Sequence, residues 1–326
     1  MRTGKLESNQ LENLLAKYTG FVRDDVVSGG KLGEDCSFIK MGTRTLALTT
    51  DPVTAAKSNI GKIGFNININ DLATSGAEGI GLLVTVLMPP GTELFELETI
   101  MGDLHQEALD KGLQILGGHT EVTDAVNRII ISVTAVGATD AGEEIKAGDA
   151  RVGDYFVVSK WLGIEGTYIV ASDFEDKLGG ELSEAELAWA LSLGESLSVL
   201  REGLIGKQAG VHAMHDITEG GVLGALWEVS RASGLGCEIM EAAMPVHPVT
   251  QKICRILQLD PLRLISSGSM LFATASPEKL LHGLKAAGIA GTIIGRATKS
   301  GFRMVDQTGI RDIEPPMRDE IYGLFE

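Results

Sequence analysis

Apolar runs of two different periods alternate along this chain of 326 residues, and four polar clusters interrupt them, three of them containing glycine. The clusters are "GED" at 33–35, "TTDP" at 49–52, "NDLATSGAEG" at 70–79 and "GGHTE" at 117–121. A fold that buries the runs must leave these carboxylates, amides and hydroxyls at strand ends or on a helix face. The runs therefore decide the architecture, and the interruptions mark where chemistry can sit.

In the first half, the spacing of Leu11, Leu14 and Leu15 predicts a helix within "LESNQLENLLAKY". A strand follows at "RTLALTTDP", where Pro52 keeps Asp51 out of helical geometry and leaves Thr49, Thr50 and Asp51 at a strand end. "NIGKIGFNININDLATSGAEG" reads as one helix, with Ile63, Ile67, Asn70 and Asp71 on one face. Strand "IGLLVTVLMPP", helix "ELFELETIMGDLHQEALDKG" and strands "LQILGG" and "NRIIISVTAVG" complete an α+β domain whose sheet has one largely exposed face. The polar, glycine-bearing "AGDARVGD" at 147–154 separates a domain 1–150 from a domain 151–326. The second half begins with strand "YFVVSK" and continues with helices at about 163–172, 183–202 and 220–233. Strands "SMLFATA" and "GTIIGRAT" around helix "PEKLLHGLKAAG" have the strand–helix–strand order of an α/β domain.

Composition narrows the function classes. Aromatic residues are 5% of the chain, so its cores must be built from aliphatic side chains. The net charge of −16, with no visible Lys/Arg cluster, would repel a nucleic-acid backbone and excludes it as an expected partner. An anionic nucleotide stays possible, because a divalent metal held by carboxylates reverses the local field. Cys36, Cys237 and Cys254 are odd in number and lack a CxxC, which argues against a disulfide framework or a thiolate zinc site. With no apolar leader and no stretch near 18 apolar residues, the expectation is a soluble cytoplasmic protein without membrane contact.

Magnesium takes oxygen ligands, usually one or two carboxylates completed by water and phosphate. Asp35, Asp51, Asp71 and Glu121 could supply them, while Gly117 and Gly118 would let backbone N–H groups approach a phosphate. Plainer roles exist for each: Asp51 as a turn residue, Asn70 and Asp71 as a polar helix face, His119 as a structural histidine, Thr120 as a turn cap. In "HAMHDITEGGVLGALWEVSRASG", Thr218 and Glu219 either cap a helix or, with Asp216, border a ligand site at its N-terminus. His212 and His215 lack a nearby third ligand and read as structural. "SSGSM" at 266–270 is a small-residue turn able to approach a substrate, and Lys57 and Lys62 are the cationic candidates near the first-half clusters.

Taken in order, "GED", "TTDP", "NDLATSGAEG", "GGHTEVT", "GIEGT" at 163, "HDITEGG" at 215 and "SSGSMLF" at 267 resemble the PurM/HypE superfamily. That superfamily includes aminoimidazole ribonucleotide synthetase, selenophosphate synthetase, thiamine-monophosphate kinase and the hydrogenase maturation factor HypE. The resemblance covers nearly the whole chain, and "PVHPVTQKICRILQLDPLRLISSG" at 245–268 is most similar to HypE. It implies a PurM-like N-terminal α+β domain that binds ATP and pairs with a second copy into a barrel. It also implies a PurM-like C-terminal α/β domain covering the cleft.

The resemblance further implies ATP and Mg²⁺ as cofactors, with metal held by Asp35, Asp51 and Asp71. Catalytic roles fall on Asp71, His119 and Glu121, and nucleotide contacts on Lys57, Asn70, Gly117, Gly118, Thr120, Asp216 and Glu219. The 117–121 segment is expected to be a loop that closes the nucleotide site. Two departures stand out. His119 takes the place where several relatives carry an acid, so Glu121 is the substitute carboxylate, and "MRDEIYGLFE" lacks the terminal cysteine that carries HypE's carbamoyl group. The expected function is ATP-dependent phosphoryl transfer to an amide, carbonyl or other oxygen of an unidentified acceptor. A small-molecule kinase of the thiamine-monophosphate type and a non-catalytic nucleotide-binding assembly module are the alternatives.

Overall fold

The computed structural model describes residues 6, 8–30, 33–53, 59–315 and 319–325. The first part of the chain runs α1 (Ser8–Lys17), β1 (Val26–Ser28), β2 (Ser37–Met41), β3 (Arg44–Val53), α2 (Ile60–Thr74), β4 (Glu78–Met88), α3 (Leu94–Asp110), β5 (Gln114–Val122) and β6 (Ile130–Asp140). The second runs β7 (Tyr155–Ser159), α4 (Ile164–Asp173), α5 (Glu184–Ser192), α6 (Leu200–Ala209), β8 (Ala213–Asp216) and α7 (Gly221–Ala232). It continues through β9 (Gly236–Met240), α8 (Pro248–Leu257), β10 (Met270–Thr274), α9 (Pro277–Ala286), β11 (Gly291–Thr298), β12 (Phe302–Asp306) and β13 (Gly309–Asp312). A 3₁₀ turn at Glu320–Phe325 follows.

The first six strands form one sheet in the order β1-β2-β3-β6-β4-β5, antiparallel except for the β4–β5 pair. Along β4 the alternation characteristic of strands is clear. Leu82, Val84, Val86 and Met88 turn inward and pack with Phe65 and Ile69 of α2 and Ile100 and Leu104 of α3. Ile80, Leu83 and Leu116 lie exposed on the sheet.

The second sheet, in the order β13-β12-β9-β11-β7-β10-β8, is covered on both faces. Phe156 and Val158 of β7 pack toward α7, and Val157 between them packs toward α9. Strands buried on both sides read as unbroken apolar runs, which is why "YFVVS" and "MLFAT" show no alternation. The helix anticipated over 183–202 is interrupted: α5 gives way to a 3₁₀ turn at Leu193–Ser196, and α6 starts at Leu200.

The two sheet units share packing. Ile164, Tyr168, Leu193 and Leu197 join the core of the first sheet, and Ala73 of α2 joins that of the second. Against Ala73, Gly203 of α6 comes so near that an added Cβ would lie 2.3 Å from the Ala73 carbonyl oxygen. α2 and α4 therefore both pack across the junction.

Candidate active site

Two asparagines and an aspartate on α2 organise the region. The Asn68 side chain accepts from the Asp51 backbone N–H at 2.7 Å and donates to the Asp51 carbonyl at 3.2 Å, which sets the backbone at the end of β3. Asn70 uses both ends of its amide: Nδ2 donates to the Leu197 carbonyl at 2.7 Å, and Oδ1 accepts from the Val199 N–H at 2.8 Å. Asn70, expected to contact the nucleotide, ties the two units together through these bonds. Asp71, one residue on, is buried and accepts from the Thr49 hydroxyl at 2.6 Å.

Across the junction, β8 delivers His215 and Asp216 to the same place. Asp35, His215 and Asp216 each offer a ligand atom within 4.8 Å of the others. His215 Nδ1 donates to the Asp216 carbonyl at 2.7 Å and lies 3.4 Å from Asp35 Oδ2, and its Nε2 lies 3.2 Å from Glu228 Oε2 on α7. From the sequence His215 reads as structural and Glu228 is not singled out, because Asp35 and Glu228 reach His215 from other segments.

The electrostatics follow from burial. Asp71 is driven well above the ordinary carboxylate range by desolvation, and the charges of Asp216, Asp51 and Asp35 add to it. Desolvation pushes Asp35 up to about 8, with His215 opposing the shift and Asp216 and Glu228 supporting it. For His215, burial disfavours the charged ring, yet the surrounding Asp35, Asp216 and Glu228 prevail and hold its pKa well above the usual histidine value. Both Asp216 carboxylate oxygens and Asp35 Oδ2 are buried without a hydrogen-bond partner. Orphaned carboxylate oxygens crowded together are the donor set of a hard divalent cation, so these residues fit the magnesium the family implies.

The remaining predicted residues lie elsewhere. The 117–121 segment is not a loop: it belongs to β5, which continues to Val122 and pairs in parallel with β4 from Gly117↔Leu83 to Val122↔Met88. Its paired glycines have a structural cause. Gly118 has φ +147°, and a Cβ there would sit 1.8 Å from the Val84 carbonyl oxygen, so only glycine can follow the strand at this point. His119 and Glu121 are exposed on this edge and pair with each other at 3.2 Å. Gly117, Gly118, His119 and Thr120 also border a cavity of about 220 Å³ floored by Val84, Val86, Met101 and Ile115. Asp51 is exposed at the end of β3, and Glu219 accepts a hydrogen bond from the Tyr322 hydroxyl. Lys57 lies outside the described residues, and Lys62 pairs with Glu195 at 2.5 Å. His212, read from the sequence as structural, lies 2.9 Å from Asp154.

Two mixed sheets that pack together across α2, with buried carboxylates of both units brought close at the junction, define a two-unit protein with an acidic junction. Comparison with known proteins makes this particular. The N-terminal domain of AIR synthase related protein matches residues 33–139, and its C-terminal domain matches residues 151–306. The chain belongs to the AIR synthase related protein family, and within it the chain is HypE-like. It is 32% identical over 263 residues to carbamoyl dehydratase HypE of Rhodobacter capsulatus, spanning 77% of this chain and 75% of that protein. The structure of hydrogenase maturation protein HypE in complex with ATP shares the fold, with a TM-score of 0.72 at 20% identity over 98% of this chain and 97% of the other. ThiL complexed with AMPPCP and TMP does so too, with a TM-score of 0.77 at 20% identity over 98% of each chain. Among the described residues, no helix is long and apolar enough to cross a membrane.

Proposed function

We propose that this chain is an ATP- and Mg²⁺-dependent, HypE-like enzyme that transfers the γ-phosphoryl group of ATP to an amide or carbonyl oxygen of an acceptor. The observation that carries this reading is the convergence of Asp35 and Asp216, with orphaned oxygens, and buried Asp71 at the junction of the two units. So much buried negative charge is costly by itself and becomes favourable when a cation is held among it. Asp35, Asp71 and Asp216 would hold the metal, with Asp51 at the exposed margin. Bound there, Mg²⁺ would neutralise charge on the transferring phosphoryl group.

The chain's own contribution is positioning. Asn68 sets the Asp51 backbone, Thr49 orients the Asp71 carboxylate, and Asn70 locks the 197–199 backbone against α2. The Gly117–Thr120 edge, beside its cavity, is the nucleotide-facing part of the first unit. In the transfer, the bond from the γ-phosphorus to ADP breaks and a new P–O bond forms at the acceptor oxygen. The R. capsulatus relative is a carbamoyl dehydratase, which favours an amide-type acceptor over the phosphate acceptor of a kinase. A homodimer belongs to the same reading, and the exposed Ile80, Leu83 and Leu116 on the first sheet are the surface that a second copy would cover.

The test is to incubate the protein with ATP and Mg²⁺, measuring nucleotide binding by calorimetry and ADP by chromatography, with Asp71→Asn in parallel. ADP release that falls at least a hundredfold in the variant is the expected result. Turnover untouched by Asp71→Asn would remove the proposed role of this cluster.

A further inference from the structure

A nitrogen among carboxylates, as Asp35, His215 and Asp216 present within 4.8 Å of one another, is ordinarily the donor set of a transition ion rather than of magnesium. The ring geometry argues against that use of His215. Its Nδ1 lies 2.7 Å from the Asp216 carbonyl oxygen, which can only accept, so Nδ1 carries a proton. This same nitrogen is the one that lies 3.4 Å from Asp35 Oδ2 and 3.8 Å from Asp216 Oδ1, and a protonated nitrogen has no lone pair for a metal. Nε2 faces the other way, 3.2 Å from Glu228 Oε2 of α7. His215 stands behind the carboxylates and is not one of the ligands.

The strand explains this placement, because successive residues of β8 point to opposite faces of the sheet. Ala213 joins the core beneath α7, whereas Met214 joins the core that Ala73 of α2 enters. His215 follows Ala213 to the α7 side, and Asp216 follows Met214 to the α2 side. The loop that carries Asp35 is held on both flanks. A Cβ on Gly33, whose φ is +79°, would lie 3.0 Å from the Glu228 carbonyl oxygen, so the loop sits directly on α7. Glu34 Oε1 accepts from the Gly148 N–H at 3.2 Å, and Cys36 Sγ donates to the Asp71 carbonyl at 3.3 Å. With one nitrogen toward Asp35 and the other toward Glu228, the buried imidazole spans the gap between Asp35 and α7. A rigid ring wedged there limits how far Asp35 can withdraw from Asp216. Mg²⁺ demands oxygens at about 2.1 Å in a near-octahedral array, whereas Ca²⁺ accepts about 2.4 Å and irregular geometry. A braced pair of carboxylates favours the smaller ion, and a pair free to spread accommodates the larger.

We propose that His215 is a positioning residue that braces Asp35 against Asp216 and thereby makes the junction selective for Mg²⁺ over Ca²⁺, with Glu228 holding the far side of its ring. The proposal rests on the reading of Asp35 and Asp216 as metal ligands, and it adds the residue that sets which ion they accept.

The experiment is calorimetric titration of the full chain with Mg²⁺ and with Ca²⁺, each alone, in the wild type, Asp216→Asn and two variants of His215. The wild type should hold Mg²⁺ the more tightly. His215→Leu keeps the bulk but offers the Asp216 carbonyl no donor, and it should lower the preference for Mg²⁺ at least tenfold. His215→Asn places an amide N–H near the position of Nδ1 and should retain more of the preference than His215→Leu. Both ions carry the same charge, so a change of charge at residue 215 moves both affinities alike, and their ratio isolates the geometry. Where His215→Leu does not fold, His215→Gln, whose amide lies nearer the position of Nε2, takes its place and must lose the preference at least fivefold. An unchanged ratio in the folded variant, or a wild type that prefers Ca²⁺, overturns the brace and leaves the metal reading standing. Absence from the wild type of any binding that Asp216→Asn removes overturns the metal reading, and the brace with it.

Discussion

Glu165→Gln gives a stability prediction whose sign and size come from one buried carboxyl. The group's ordinary pKa of 4.5 is raised to about 7, so between those values the folded chain keeps a proton that the unfolded chain has released. Stability must therefore fall as pH rises through this window, because the folded state binds more protons there. A carboxyl raised to this extent costs about 3 kcal/mol once pH exceeds the folded value, and about 2.5 kcal/mol of that develops between pH 5 and pH 8. Glutamine has nearly the same shape and does not titrate, so the variant should lack this component and be the more stable protein at pH 8. Asp35 and His215 contribute a slope of the same sign, since both are raised. That slope is common to both proteins, and their difference isolates Glu165. Urea unfolding in chelator, followed by tryptophan fluorescence, is the assay, because Trp161, Trp189 and Trp227 all belong to the part of the chain that carries Glu165. Parallel pH dependences for wild type and variant would refute the reasoning.

Other perturbations test the positioning contacts. Asn70→Ala leaves the Leu197 carbonyl and Val199 N–H without their partners, and urea unfolding should show a loss of about 2–4 kcal/mol. Lys160→Met strands buried Glu202, whose carboxylate it meets at 2.8 Å, and should destabilise by about 3–5 kcal/mol, with Lys160→Met/Glu202→Leu recovering part of the loss. Gly118→Ala places a methyl group against the Val84 carbonyl, so hydrogen exchange should show lost protection along β4 and β5. Mg²⁺ should raise the melting temperature of the wild type, and the rise should shrink in Asp216→Asn, because the two orphaned Asp216 oxygens belong to the proposed cation site.

Much of the fold was legible because periodicity is local. The α2 segment, β3, β4, α3 and the β10–α9–β11 succession follow from runs of three to five turns or single strands, whose pattern needs no partner to be read. β5 was cut short at its paired glycines, since glycine ordinarily signals a turn. Here it answers a backbone approach from β4 that exists only once the strands pair. The interruption between α5 and α6 leaves no local signal for a similar reason: the 197–199 backbone is held by Asn70 from more than a hundred residues earlier.

For the site, the sequence by itself determined which segments carry acids beside glycine, and their order along the chain was sufficient for the family resemblance. It could not determine which acids meet. Asp35, Asp71 and Asp216 arrive from a loop, a helix and a strand end, while His119 and Glu121 remain on an exposed sheet edge. Nor could it distinguish His215, surrounded by acids, from His212, paired with Asp154 alone. Residue type sets what a group can do, but burial and the neighbours supplied by distant segments set its charge. Those are properties of the assembled fold, and so the chemistry of Asp35, His215 and Glu165 was decided only there.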